Sequence, residues 1–111
     1  MPVSEILGNL ANAANSKQGK KVAWNVIVVD AVVEDGRRLT YNYQISNVRY
    51  DQYNQEKADK IFIKLQKKAC SDRIMRQAMQ GGAEINYAYI DKNGDDMFSI
   101  KVDEVVCYGL S

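Results

Sequence analysis

The stretch Ala83–Cys107, AEINYAYIDKNGDDMFSIKVDEVVC, decides the architecture of this 111-residue chain. It reads as a β-hairpin closed at Asn93-Gly94, a pair that tolerates the positive backbone angles of a tight two-residue turn. With those two residues in the loop, Tyr89 faces Phe98, Tyr87 faces Ile100 and Ile85 faces Val102. Asn86, Ala88, Ser99 and Lys101 fall on the opposite face. A slip of one residue would send every apolar side chain to the wrong side, so the register is well specified. Everything else is read as what this hairpin pairs with and packs on.

Immediately upstream, Asn54–Gln80 carries Ala58, Ile61, Phe62, Leu65 and Ala69 at three-to-four spacing, which predicts a helix. Asn54 is placed to cap its start, Ser71-Asp72 to interrupt it and Gly81-Gly82 to end it. Before that, Lys21–Val48 reads as a first hairpin turned at Asp35-Gly36. This turn sets Val32 against Leu39, Val28 against Tyr43 and Val26 against Ile45. The second strand alternates Leu39, Tyr41, Tyr43 and Ile45 with Thr40, Asn42, Gln44 and Ser46, so one face is wet. The first strand, Val22–Val33, is apolar on both faces, as expected of a central strand covered on its second side by the N-terminal helix. Asp30 breaks that pattern on the buried face opposite Tyr41, which signals an edge, a bond to a tyrosine hydroxyl or a bulge. Val3–Asn15 has helical spacing with Ser4 as its N-cap, and SKQGKK (16–21) is a polar, basic loop. The order α-β-β-α-β-β predicts a single α+β domain: a four-stranded antiparallel sheet of two hairpins, with helices packed on one face.

Composition narrows the function classes. Histidine is absent, which removes the commonest general base and metal ligand together. The two cysteines have no zinc-site spacing, so no catalytic residue, metal or cofactor is assigned. A net charge of +1 argues against an overall drive toward nucleic acid. No apolar run approaches the roughly 18 residues of a membrane helix. No basic-then-apolar signal pattern opens the chain, so it reads as cytosolic or as a mature form whose targeting segment has been removed.

Several residues stand out as candidates. If the long helix lies over the sheet, Cys70 and Cys107 come within disulfide reach. The alternatives are two separate buried thiols or a reactive cysteine, the last disfavoured without an activating base. Asp91–Asp96 superficially resembles a calcium loop, but the glycine is misplaced and strands flank it, so a solvated hairpin tip is expected. Lys57, Lys60, Lys64, Lys67 and Lys68 share one side of the helix, away from its apolar stripe. Residues 51–80 hold seven basic and four acidic side chains, and residues 83–111 hold two basic and six acidic, so a nearly neutral chain is polarised. Such a lysine face is either a solvated surface or a docking surface for an acidic partner. Tyr41, Tyr43, Tyr87 and Tyr89 occupy core-facing strand positions, whereas Tyr50 and Tyr53 in the link RYDQYNQ are candidates for a contact site.

LTYNYQI, a helix running into KKACSD with Arg76 four residues on, then GGAEINYAYIDKNG and a final strand ending in cysteine together resemble a recurrent pattern. It occurs in small secreted or lipid-anchored proteins of Gram-negative bacteria, with pilotin-like lipoproteins and quorum-sensing-regulated virulence factors of comparable size and layout. The resemblance spans roughly Leu39–Cys107, about two thirds of the chain. It implies a periplasmic α+β domain, a Cys70–Cys107 disulfide and a non-enzymatic role. The leading expectation is therefore an extracytoplasmic accessory domain of an envelope or secretion system. Its protein partner would use the face of Lys57, Lys60, Lys64 and Lys67 with Tyr50 and Tyr53, or a free sheet edge. The alternatives are an immunity or inhibitor protein whose acidic hairpin tip plugs a toxin, and a small-ligand carrier or enzyme with a pocket around Asp30 and Tyr41.

Overall fold

The hairpin folds in the expected register. Strand β4 (Glu84–Ile90) pairs antiparallel with β5 (Asp96–Val102), setting Tyr89 against Phe98, Tyr87 against Ile100 and Ile85 against Val102. Its loop is longer than two residues. The Gly94 amide donates to the Asp91 carbonyl, Gly94 alone in the turn has positive φ (88°), and the Asp91 carboxylate accepts the amides of Asn93 and Asp95. This is a three-residue turn with a glycine bulge, and Asp91, only 1% exposed, is its scaffold.

The computed structural model describes residues 2–23, 25–46 and 55–109. In chain order these form α1 (Val3–Asn15), β1 (Lys21–Ala23), β2 (Val26–Glu34), β3 (Arg38–Ile45), α2 (Gln55–Ser71), α3 (Arg73–Gln80), β4, β5 and α4 (Glu104–Gly109). The α+β class holds, with three corrections of detail. First, the sheet is mixed. Strands β3 and β4 are parallel neighbours at its centre, because the α2–α3 crossover returns the chain to the end of the sheet from which β3 started. Second, it has five strands in the order β1-β2-β3-β4-β5. The apolar run from Val22 breaks at Asn25, whose φ of 66° folds β1 back on β2. Asparagine adopts that conformation more readily than most residues. Third, Cys107 sits in the short helix α4, where the Asp103 carboxylate accepts the Val106 amide, and not at the end of a strand.

The first hairpin is subtler. The Asp35-Gly36 turn forms with both residues at positive φ (54° and 64°), and the Arg37 amide bonds the Glu34 carbonyl. Arg37 is then an extra residue, so Glu34 opposes Arg38 and Val33, not Val32, opposes Leu39. A bulge at Val29 restores the count, and Val28 and Val26 meet Tyr43 and Ile45 as expected. Two one-residue irregularities cancel. Between them the faces are exchanged: Ala31 is buried, Val32 is 43% exposed, and Asp30 leaves the core to accept a 2.6 Å hydrogen bond from Asn42.

All helices lie on one face. Ile6, Leu7 and Ala11 of α1 join Leu39, Tyr41, Ile85, Tyr87, Met79 and Val102 in one core, so α1 does not cover the opposite face as anticipated. Its N-cap is also two residues earlier than expected, at Pro2 in place of Ser4. Asn15, at the end of α1, clamps the outer edge of β2: its carboxamide accepts the Ala31 amide (2.8 Å) and donates to the Ala31 carbonyl (2.9 Å). The helical interruption falls where expected, Asp72 capping α3 through the amides of Ile74 and Met75. The Asn54 cap lies outside the described residues.

Candidate functional site: a tyrosine-floored groove ringed by lysines

Parallel pairing of β3 with β4 puts Tyr41 beside Tyr87 and Tyr43 beside Tyr89. The ring centroids are 5.4 Å apart in the first pair and 5.3 Å in the second. Tyr89 also meets Phe98 at 4.7 Å, and Phe62 of α2 stands edge-on to Phe98. The four phenols thus form an aromatic pavement on the helix side of the sheet.

Above this pavement α1 and α2 leave a groove of about 920 Å³. One wall is Leu10, Ala13 and Ala14 of α1 with Lys17, Lys20 and Lys21 beyond it; the other is Ile61, Lys64, Leu65 and Lys68 of α2. Val26, Val28, Ile45 and the four tyrosines line the floor, and Met75 of α3 contributes at one side. Five lysines and no carboxylate line it among the described residues.

The tyrosines are neutral donors. Burial raises all four phenols, and for Tyr41, Tyr87 and Tyr89 burial and then the neighbouring phenols push them well above the usual phenol range. The Tyr87 hydroxyl reaches the Met75 sulfur at 3.7 Å. Among the described residues the hydroxyls of Tyr41, Tyr43 and Tyr89 find no protein acceptor, and no buried polar side-chain atom lacks one. Those three hydroxyls therefore open onto the groove.

The expected contact residues separate. Lys64 lines the groove and Lys68 joins it, while Lys60 and Lys67 are exposed on the outer side of α2. Lys57 is in α2, but its side chain, like Tyr50 and Tyr53, lies outside the described residues. Of the sheet edges, that of β2 is taken: beyond Asn15 at Ala31, Val28 bonds Gly19 and Lys20. The sequence presents the lysines of the SKQGKK loop only as polar loop and the tyrosines as core, with Tyr41 alone set beside Asp30 in a candidate pocket. A basic loop before one Tyr-x-Tyr hairpin and a basic helix after it were the available signal.

Away from the groove, Cys70 of α2 and Cys107 of α4 are joined in a disulfide. Arg76 of α3 grips Glu104 of α4 through two bonds of 2.7 and 2.9 Å, holding that carboxyl below its usual range. Among the described residues no cluster suited to a metal occurs and no helix is long and apolar enough to cross a membrane. Asp30 is bound to Asn42 on the sheet face opposite Tyr41, so the two do not share a pocket.

Three solved structures share this fold. A candidate secreted protein of Pseudomonas aeruginosa superposes with a TM-score of 0.79 at 18% identity, covering 95% of this chain and 92% of that one. The type 2 secretion system pilotin EpsS of Vibrio vulnificus gives 0.75 at 11% identity, over 95% and 91%. The type II secretion system pilotin AspS of Vibrio cholerae gives 0.67 at 13%, over 95% and 92%. The resemblance to pilotin-like proteins is therefore real at the level of the fold. No protein-family model and no curated protein sequence matches the chain.

Proposed function

We propose that this protein is a non-enzymatic, extracytoplasmic accessory factor of a secretion system, which acts by holding a protein partner in the groove between α1 and α2. The groove carries the reading. An open, aromatic-floored cleft between two helices offers apolar area for a partner segment, and tyrosine contributes large contact area at little entropic cost. The fold shared with two pilotins supports a secretion-linked role. A disulfide supports an oxidising compartment such as the periplasm.

Site-specific photocrosslinking in cells tests it. A photoreactive residue replacing Ile61 on the groove wall is expected to capture a secretion-system component, and the adduct should vanish when unlabelled protein competes. The same probe at Lys101, on the opposite sheet face, should not capture it. Equal capture at both positions, or none at Ile61, would overturn the reading.

A further inference from the structure

We infer that the segment seated in this groove is acidic: a peptide with one apolar face and carboxylates along both of its edges. The inference rests on the groove being the partner site and adds the chemistry by which it selects. Lys64 and Lys68 are four residues apart on α2, one helical turn, and so form a positive row along one wall. Lys17, Lys20 and Lys21 supply positive charge from the other wall. All five are exposed, and none has an ion-pair partner among the described residues.

No carboxylate lines the groove among the described residues, and Glu84 and Glu104 serve cations outside it. Glu84 pairs with Arg38 and Lys101, and Glu104 with Arg76. A cleft with apolar walls and like charges on both rims focuses a positive potential that an anionic occupant relieves. The open hydroxyls of Tyr41, Tyr43 and Tyr89 are neutral donors and favour an occupant rich in acceptors. A single-chain lipid carries its charge at one end, whereas positive charge on two facing walls matches an elongated ligand charged along both edges.

The test uses the full, disulfide-intact chain and fluorescently labelled synthetic helices sharing one leucine-phenylalanine stripe. One carries glutamates beside the stripe, one lysines, and a third is the glutamate peptide scrambled to destroy the stripe. The glutamate-edged helix is expected to bind at least about ten-fold tighter than either control and to weaken as salt rises. Lys64→Glu with Lys68→Glu should reduce that binding about ten-fold, and Lys17→Glu with Lys20→Glu likewise. Lys67→Glu, on the same helix outside the groove, should leave it unchanged. Circular dichroism on each variant establishes that these exposed substitutions preserve the fold.

Equal, salt-independent binding of the glutamate and lysine helices would overturn the charge selection and leave the groove as a docking site. Equal binding of the scrambled peptide would reduce the effect to diffuse attraction and overturn the inference. So would loss of binding in Lys67→Glu matching that of the groove variants, or a stronger attraction to phosphatidylglycerol vesicles lost in the groove variants. If no helix binds, the inference fails, and the photocrosslink at Ile61 independently decides whether the groove holds a protein.

Discussion

The helical layer has a closed end and an open end. Where α2, α3 and α4 meet, small residues allow close approach: Ala69, Ala78 and Ala83 are at most 2% exposed, and Gly81 lies under Val3 of α1. The Cys70–Cys107 disulfide and the Arg76–Glu104 pair fasten the same region. At the other end α1 and α2 diverge over four tyrosines, and charged side chains line the gap. The contrast teaches that the closed end supplies the stability that lets the open end keep apolar area uncovered. Substitutions at the closed end should therefore change stability, and those at the open end should change binding.

The largest expected effect is at the disulfide. Replacing Cys70 and Cys107 together by alanine frees a loop of 37 residues' separation, which in the chain-entropy model costs about 3–4 kcal/mol. Urea unfolding under two-state conditions would measure it. Below its new melting point the variant should still bind the glutamate-edged helix, since neither cysteine lines the groove. Loss of binding in the folded variant would break the separation between the two ends.

Gly81 comes next. A Cβ placed there would lie 2.5 Å from a γ-methyl of Val3, closer than real contacts allow. Gly81→Ala is expected to cost about 1–3 kcal/mol by overpacking. Val3→Ala should make room, so a double-mutant cycle should show strong coupling between the two positions. Additive effects would mean that α1 is not seated on α3 as tightly as the geometry requires.

These two ends were unequally legible in the sequence. Ile85, Tyr87 and Tyr89 alternate against Phe98, Ile100 and Val102, and periodicity of that kind is enough to set a register. In both hairpins the expected pairs beyond the bulge hold because two irregularities offset one another. These are Arg37 and Val29 in the first, and the three-residue turn and the register shift between Tyr89 and Ile90 in the second. A bulge has no side-chain signature of its own; Asp30, polar at an apolar position, was its one trace. The parallel β3–β4 pairing is set by where the α2–α3 crossover delivers the chain, which no local pattern encodes. The groove escaped notice for a related reason. Tyrosines at core-facing positions look the same whether a helix covers them or stands aside, and its two lysine groups are more than forty residues apart in sequence.

A third effect is absent at neutral pH and emerges in alkali. The unfolded phenols ionise near 10.0, whereas burial raises those of Tyr41, Tyr87 and Tyr89 well above that value. The unfolded chain therefore releases protons first. The contribution of these groups is fully present below pH 10 and is lost as pH rises beyond it. Phenolate absorbance from the groove tyrosines should grow only together with loss of circular dichroism. Their ionisation while the fold remains intact would show that the pavement is far wetter than its burial implies.

The smallest effect on stability should come from Tyr43→Phe, and it draws the comparison most sharply. The Tyr43 ring stacks on Tyr41 and Tyr87 and meets Tyr89 at a tilt, and phenylalanine preserves those contacts. Its hydroxyl opens on the groove, so removing it leaves no buried partner unsatisfied, and unfolding should shift by no more than about 0.5 kcal/mol. If carboxylates or carbonyl oxygens settle on this floor, the same change should weaken the glutamate-edged helix by about two- to five-fold, the scale of one modest hydrogen bond. A loss of 1 kcal/mol or more in stability would give the hydroxyl a structural role and move Tyr43 to the closed end. Unchanged binding would confine selection to the lysine rims and leave the floor as apolar area alone.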